Sequence, residues 1–331
     1  MISDLLFALL GLVILLLAGD SLVRGAVNLS LRLGVPALIV GLTIVAFGTS
    51  APELLVSVKA VLDGVPGIAL GNVVGSNIAN ILLVLGIPAI LSGLRTDECD
   101  TRRSYVTMIA ASALFYALIW FGPLSWWHGL ILLGMLTLIL GDNFIEVRNH
   151  RQRSRDRADA ARAEADDADP DAELEDLEGA DPSMPVWKIA IFLVLGLIGL
   201  PLGADLLVDS SVNIARVMGI SETVIGLTLI AVGTSLPELA TTVMAAIRRQ
   251  ADVALGNVIG SNFFNLLAIM GITGLVGDVH IPAEMLYVDV PVMLGASLLL
   301  APFVFRGWFM GKAVGTLFIL FYATYVVSLI S

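Results

Sequence analysis

Two glutamates lie within long apolar stretches of the sequence, and each is preceded by the same small residues at helical spacing. In both cases an Ala, a Thr and a Ser stand seven, four and three residues before the Glu, which places all four on one face of a helix. An ionised carboxylate inside a membrane is costly, so each glutamate is a functional hypothesis in itself. The two groups are Ala46, Thr49, Ser50 and Glu53, and Ala231, Thr234, Ser235 and Glu238.

A proline directly precedes each glutamate, and we expect Pro52 and Pro237 to lie in mid-helix. Proline has no N–H for the carbonyl four residues back, so the carbonyls of Gly48 and Gly233 lose their partners and the turn opens. Free carbonyls and a carboxylate are hard oxygen ligands, which suit Ca²⁺ and Na⁺ and are poor ligands for zinc or copper. We interpret the repeated pattern as a cradle for a cation rather than as a simple kink.

A second polar group follows each glutamate, in the sequences GNVVGSNIAN and GNVIGSNFFN. The glycines allow two helices to approach closely, and the Ser and Asn oxygens can complete the coordination shell of a dehydrated cation. The polar residues recur at spacings of four and eight within each group. They are Asn72, Ser76 and Asn80, and Asn257, Ser261 and Asn265.

The elements that must position these residues are membrane helices. Of 331 residues, 57% are apolar and 14% are charged, whereas a soluble domain has about a quarter charged residues. This composition excludes a soluble enzyme, a nucleic-acid binder and a disordered scaffold, and the single Cys99 excludes a disulfide framework. Cutting the sequence at charges and at Gly/Pro clusters leaves ten candidate spans of roughly 20 residues each. They run 3–23, 35–60, 67–92, 104–121, 125–146, 186–208, 219–246, 253–276, 286–304 and 308–330.

Segments 41–86 and 226–271, here called the first and second motifs, are related by a constant offset of 185, with 23 of 46 positions identical. Asp20 and Asp205 obey the same offset, and we interpret them as structural or vestibular residues. Five spans per half is an odd number, so the second half crosses the membrane in the opposite direction, as in secondary transporters.

The predicted fold class is an all-α polytopic membrane protein of ten transmembrane helices in two inverted-topology repeats of five. The predicted regions are a first repeat over 1–147, a charged linker over 148–184 and a second repeat over 185–331.

Basic residues are distributed unevenly between the two sides of the predicted bundle. Of the 18 Lys and Arg residues, 16 fall in the odd-numbered connections, and only Lys59 and Arg216 fall in the others. The positive-inside rule therefore places linker 148–184 in the cytoplasm and both termini outside. The acidic run of this linker is interpreted as solvated chain. We expect a multi-pass protein of the cell (inner) membrane whose partner is the lipid bilayer, with no nucleic acid and no obligatory protein partner.

GTSAPE with GNVVGSNIAN, and GTSLPE with GNVIGSNFFN, resemble the two alpha repeats of the calcium/cation antiporter superfamily, and in particular its prokaryotic sodium/calcium exchanger-like members. The resemblance implies exchange of cytoplasmic Ca²⁺ for extracellular Na⁺ at a midplane site, with no cofactor. It implies alternating access by sliding of the first and sixth helices past a fixed core. It also implies Ca²⁺ ligands from Glu53, Glu238, Thr49 and Thr234, and Na⁺ ligands or site lining from Ala46, Ser50, Ser76, Asn80, Ala231, Ser235, Ser261 and Asn265.

A proton-coupled divalent cation exchanger is the alternative function, since both glutamates are able to carry protons. Proton-coupled relatives typically have a GNAxE-like motif, whereas GTSxPE supplies the hydroxyls that sodium prefers. An intramembrane aspartyl protease is not expected because the GxGD pattern is absent, so no enzymatic activity is predicted. Two features depart from some relatives. Asn265 replaces an Asp, and linker 148–184 is too short for the calcium-sensing domains of animal exchangers.

Overall fold

Helices form nearly all of the structure, which is a computed structural model describing residues 2–97, 99, 101–164, 181, 183–219 and 231–330. A short helical turn, Ala231–Gly233, begins the last of these ranges. The longer helices, in chain order, are α1 (Ile2–Leu33), α2 (Ala37–Thr49), α3 (Ala51–Leu62), α4 (Pro66–Leu91), α5 (Arg102–Trp120), α6 (Trp126–Glu164), α7 (Val186–Val217), α8 (Leu236–Ile247), α9 (Ala251–Val276), α10 (Met285–Arg306) and α11 (Lys312–Ile330).

Eight helices of the described chain are long and apolar enough to cross a membrane, or nine if the bent pair α2 and α3 forms one span. The predicted span 219–246 includes residues 220–230, which lie outside the described residues. Its described part consists mainly of the turn Ala231–Gly233 and the helix α8. The expected all-helical polytopic membrane fold is therefore observed. The count of ten spans stays a prediction.

Three helices continue beyond the ends that we expected from the charges. The helix α1 ends at Leu33 rather than near 23, and α7 ends at Val217 rather than near 208. The helix α6 ends at Glu164 rather than near 146, so the first part of the predicted linker 148–184 is helical. A charged residue does not end a helix when it has a partner, and Arg24 on α1 pairs with Asp20 one turn earlier at 3.0 Å. Cutting the sequence at charges therefore misplaced the ends of α1 and α7, whereas the apolar part of α6, Trp126–Ile145, matches the predicted span 125–146.

The helices α4 and α9 are the most buried spans of the described chain, and both carry the GSN sequences of the two motifs. Each of them widens into one π-helical turn, over Asn80–Val84 in α4 and over Asn265–Ile269 in α9. Both π-turns begin at an asparagine that the sequence analysis selected as a site residue. Such turns break the regular hydrogen-bond ladder and are frequent at functional sites.

The helices α1 and α7 pack against each other along glycines. A Cβ atom placed on Gly11 would lie 2.8 Å from the carbonyl oxygen of Gly203, and one placed on Gly196 would lie 2.5 Å from Cβ of Leu22. The two backbones therefore approach closely, which any larger residue would prevent. The pair also touches α8, because a Cβ on Gly19 would lie 3.0 Å from the carbonyl oxygen of Ala240.

Candidate cation site

Both motifs contain a helix break just before the glutamate. The helices α2 and α3 meet at Ser50 (φ −86°, ψ 5°) with a bend of 44°, and Ser235 (φ −88°, ψ 3°) precedes α8 in the same conformation. Pro52 and Pro237 therefore lie in the first turn of a new helix, and the expectation of a mid-helix position was wrong. Proline is well tolerated in a first turn because the N–H groups there have no intrahelical partner.

The two breaks place Glu53 and Glu238 in the first turns of α3 and α8, where the helix dipole favours a negative charge. Each glutamate is only 1% exposed to solvent. Ser50 Oγ donates a hydrogen bond to Oε1 of Glu238 at 3.0 Å, and Ser261 Oγ lies 3.5 Å from the same oxygen. Residues of the first and second motifs thus meet at one carboxylate.

Asn72 on α4 and Asn257 on α9 hold the backbone at the two glutamates in equivalent ways. Asn72 Nδ2 donates to the carbonyl oxygen of Glu53 at 3.3 Å. Asn257 Nδ2 donates to the carbonyl oxygen of Glu238 at 3.4 Å. Because each asparagine has its other amide atom, Oδ1, still available, the same side chains are able to bond to the opposite motif.

The two threonines of the predicted site bond to these asparagines across the motifs. Thr49 Oγ1 donates to Oδ1 of Asn257 at 3.2 Å, and Thr234 Oγ1 donates to Oδ1 of Asn72 at 3.4 Å. The first pair is buried, whereas Thr234 and Asn72 are both partly exposed. The two equivalent pairs therefore differ in their access to solvent.

The two central asparagines, Asn80 and Asn265, also bond across the motifs. Asn80 Nδ2 donates to Oδ1 of Asn262 at 3.0 Å, and Asn265 Nδ2 donates to Oδ1 of Asn77 at 3.2 Å. These four residues are related in pairs by the offset of 185, and all of them are buried. The amide N–H groups of Asn80 and Asn265 are thus used within the protein.

Within the described part of the chain, five oxygens of the predicted site residues are buried and have no hydrogen-bond partner. Such groups are rare in proteins because leaving them without a partner is costly, so each indicates a missing ligand or water. Two come from carboxylates, two from amides and one from a hydroxyl. They are Glu53 Oε2, Asn80 Oδ1, Ser235 Oγ, Glu238 Oε2 and Asn265 Oδ1.

The remaining predicted site residues are less directly involved. The carbonyl oxygen of Ala46 accepts a hydrogen bond from Ser50 N at 3.0 Å, so it already has a partner, and it lies 3.2 Å from Thr49 Oγ1, whose single hydrogen is donated to Asn257. Ser76 is buried on α4. Ala231 lies in the helical turn before α8, and its side chain is outside the described residues.

The two aspartates that share the repeat offset lie outside this cluster. Asp20 on α1 forms ion pairs with Arg24 and with Arg248, which follows the last residue of α8. Asp205 is exposed on α7. Their positions agree with a structural rather than a ligating role.

Four residues of this network were not among the predicted site residues. Asn77 and Asn262 are identical in the two motifs, and Ser57 and Thr242 accept hydrogen bonds from Asn72 Nδ2 at 3.0 Å and from Asn257 Nδ2 at 3.1 Å. The shared offset of 185 is the signal that would have found them. They lie beside the residues we selected for helical spacing, and spacing within one helix does not show which neighbouring helix a residue faces.

The free atoms of the site are all oxygens, which is the ligand set that hard cations such as Na⁺ and Ca²⁺ prefer. Among the described residues, no group of three or more His, Cys, Asp or Glu side chains is placed to hold a metal. The negative charge of the cluster therefore comes from the two glutamates alone. Two carboxylates match the charge of one divalent or two monovalent cations.

Comparison with known proteins gives full-length matches. The chain is 34% identical over 350 residues to the Sodium/calcium exchanger MaX1 of Methanosarcina acetivorans, with 98% of each sequence covered. It is 34% identical over 293 residues to the Inner membrane protein YrbG of Escherichia coli, covering 88% of this chain and 86% of that protein. The structure of the sodium-calcium exchanger NCX_Mj soaked with zero Na⁺ and Ca²⁺ matches with a TM-score of 0.80, 32% identity and 99% of each chain covered.

The fold and the site define a multi-pass membrane protein with a buried, oxygen-lined cluster built from two related motifs. The model of the family described as Sodium/calcium exchanger protein matches residues 3–141 and 188–331, which together make up most of the chain. The protein belongs to this family of antiporters. It is therefore an ion transporter and not an enzyme, and the resemblance found in the sequence is confirmed.

Proposed function

We propose that the protein exchanges cytoplasmic Ca²⁺ for extracellular Na⁺ at the cluster around Glu53 and Glu238. The observation that carries this proposal is the set of five buried, unpartnered oxygens, which includes one oxygen of each glutamate. A dehydrated cation would supply the missing partner for these atoms. The same two charges are balanced by one Ca²⁺ or by two Na⁺, so the ions would compete for one place.

Mutually exclusive occupancy is what couples two ions in an antiporter, and access from one side at a time completes the cycle. The unequal exposure of the two threonine–asparagine pairs supports such access, because Thr234 and Asn72 are partly exposed whereas Thr49 and Asn257 are buried. We propose that α1 and α7, which pack on each other through glycines, slide together past the helices that carry the site.

The proposal includes the arrangement of the membrane spans. We propose ten spans in two inverted repeats of five, over 1–147 and 185–331. Three pairs of hydrogen bonds support it, because the two bonds of each pair are related by the offset of 185. In the proposed orientation both termini lie outside and linker 148–184 lies in the cytoplasm. Thr234 and Asn72 then lie on the extracellular side of the site.

Proton-coupled exchange of a divalent cation is the second candidate. The glutamates are able to carry protons in place of Na⁺, and the buried position of both side chains is the observation that favours it. The hydroxyl and amide oxygens around the carboxylates favour Na⁺, because a proton on a carboxylate needs no further ligands. In the proposed Na⁺/Ca²⁺ exchange, Ca²⁺ and Na⁺ are the substrates, and the protein needs no cofactor and no obligatory protein partner.

The test is uptake of ⁴⁵Ca²⁺ into proteoliposomes that contain the purified protein. An outward Na⁺ gradient should drive uptake at clamped membrane potential, and an outward H⁺ gradient without Na⁺ should not. Uptake driven by the H⁺ gradient alone would favour the second candidate. Absence of uptake under both gradients would refute both.

A further inference from the structure

Two chains of hydrogen bonds end at the unpartnered oxygens of the central asparagines. In the first chain, Asn265 Nδ2 donates to Oδ1 of Asn77 at 3.2 Å, and Asn77 Nδ2 donates to the sulfur of Met293 at 3.5 Å. In the second chain, Asn80 Nδ2 donates to Oδ1 of Asn262 at 3.0 Å, and Asn262 Nδ2 donates to the carbonyl oxygen of Asn77 at 3.4 Å. All of these side chains are buried.

The direction of each chain follows from the group at its far end. A thioether sulfur and a backbone carbonyl have no hydrogen, so they only accept. Asn77 must therefore turn its NH₂ group to Met293, and its oxygen faces Asn265. Asn265 in turn donates its own NH₂ group, which leaves its oxygen as the free end.

The acceptor at the far end of the second chain sets the direction of that chain in the same way. Asn262 donates to a backbone carbonyl, so its amide oxygen is left to accept from Asn80. The oxygens of Asn80 and Asn265 are the free ends of the two chains, and neither has a partner among the described residues. An amide that turned around would instead present an NH₂ group, which repels a cation.

We propose that Asn77 and Asn262 are positioning residues, which hold Asn265 and Asn80 with their amide oxygens turned to the transported cation. This inference rests on the proposed function and deepens it by naming residues that act on the ion only through another side chain. Met293 is the anchor that sets the direction of the first chain. The second chain has no such side-chain anchor, since it ends on backbone.

A double-mutant cycle separates positioning from general packing. The measurement is the Ca²⁺ concentration that half-saturates Na⁺-driven ⁴⁵Ca²⁺ flux in proteoliposomes. Asn77→Ala should raise this concentration about five- to tenfold, as expected for the loss of one buried hydrogen bond to a ligand group, with the maximal rate largely kept. Asn265→Ala should raise the half-saturating Ca²⁺ concentration by a similar factor. The double variant Asn77→Ala with Asn265→Ala should raise it no further than the more affected single variant. Asn77→Ala combined with Asn80→Ala, which belongs to the other chain, should give effects that multiply.

A second variant tests the anchor with no change to any amide. Met293→Leu keeps the side-chain volume and removes the acceptor, so it should weaken Ca²⁺ affinity about two- to threefold. The matched control is Met108→Leu, at the position 185 residues earlier, which is equally buried. Met108→Leu should leave the affinity unchanged, and Met293→Leu should have no effect once Asn265 is Ala. If Asn77→Ala does not fold, the comparison of Met293→Leu with Met108→Leu still tests the proposal.

The outcomes are distinct. A wild-type protein without Na⁺-driven Ca²⁺ flux would refute the proposed exchange and this inference with it. If the wild type transports Ca²⁺ and the effects of Asn77→Ala and Asn265→Ala multiply, the two residues act independently. That result would refute the positioning role of Asn77 and leave the proposed exchange intact. Equal effects of Met293→Leu and Met108→Leu on Ca²⁺ affinity would also refute the positioning role.

Discussion

Ser50 of the first motif donates a hydrogen bond of 3.0 Å to Oε1 of Glu238 in the second motif. The carboxylate of one motif is thus held by the helix break of the other. The other oxygen of Glu238 has no partner in the part of the chain that the structure describes. The glutamate is therefore fixed in position by one atom and available to a ligand through the other.

Neutralising either glutamate should abolish Ca²⁺ transport and leave the protein folded. Glu238→Gln keeps an acceptor for Ser50 and removes half of the charge that balances a divalent ion, and Glu53→Gln removes the other half. We expect ⁴⁵Ca²⁺ flux to fall to the level of empty liposomes. The control is Glu284→Gln, which changes an exposed glutamate outside the site. Near wild-type flux in either site variant would contradict a shared two-carboxylate site.

The ion pair between Asp20 and Arg248 should contribute to stability and not to ion affinity. It joins α1 to the end of α8, with side-chain exposures of 20% and 14%. Asp20→Asn should lower the midpoint of thermal unfolding by about 2–4 °C, the shift expected for a loss of roughly 1 kcal/mol. Asp205→Asn, at the equivalent exposed position, should change nothing. A change in Ca²⁺ affinity in Asp20→Asn would instead indicate a role on the ion path.

Replacing 152–182 by a short Gly/Ser linker should leave transport intact, because this segment lies outside both motifs. The replacement removes Asp181, whose backbone N–H donates to Oδ1 of Asn28 at 2.8 Å and so ties the linker to α1. Removing only 165–180 retains that contact and is the matched control. Loss of flux in both variants, at normal membrane levels, would show that the linker takes part in transport.

Single cysteines should place both termini outside the cell. In a chain with Cys99→Ser, we expect Ser3→Cys and Ser331→Cys to react with a membrane-impermeant maleimide on intact cells. Ser154→Cys, in the predicted cytoplasmic linker, should react only after permeabilisation. Labelling of either terminus only after permeabilisation would overturn the orientation derived from the 16 of 18 basic residues on one side.

Exchange should not require K⁺, because Asn265 offers an oxygen but no charge. A further monovalent cation beside Ca²⁺ would have no compensating charge in a site of low dielectric constant. Na⁺-driven Ca²⁺ flux should be unchanged when choline replaces K⁺ at clamped potential. Asn265→Asp should make flux more sensitive to protons, since three clustered carboxylates do not all stay ionised cheaply. An obligatory K⁺ requirement in the wild type would refute this interpretation of Asn265.

Much of the fold was predictable because hydropathy reports where lipid surrounds the chain. The start of α7 at Val186 and the end of α9 at Val276 match the predicted spans. The ends of α1 and α6 were not predictable in this way. Hydropathy shows where a helix leaves lipid, whereas a helix itself ends where its hydrogen bonding ends.

The residues of the polar cluster were predictable from the sequence, and the hydrogen bonds between them were not. Spacing along one helix selected Glu53 and Ser50, and the repeat selected Glu238 as a second carboxylate. That Ser50 reaches Glu238 rather than Glu53 depends on how two broken helices face each other. The positioning role of Asn77 likewise follows from contacts between helices that no single segment encodes.

The hydrogen bonds that cross between the motifs also bear on the origin of the chain. Thr49 bonds to Asn257, and Thr234 bonds to Asn72, so each of these two bonds needs both halves. If the halves arose by duplication, their ancestor built a complete site only as a pair of five-helix chains inserted in opposite directions. Such a chain must enter the membrane in both orientations, which requires a nearly even distribution of Lys and Arg. The strong bias of the present sequence would then have evolved after fusion, once each half needed only one orientation.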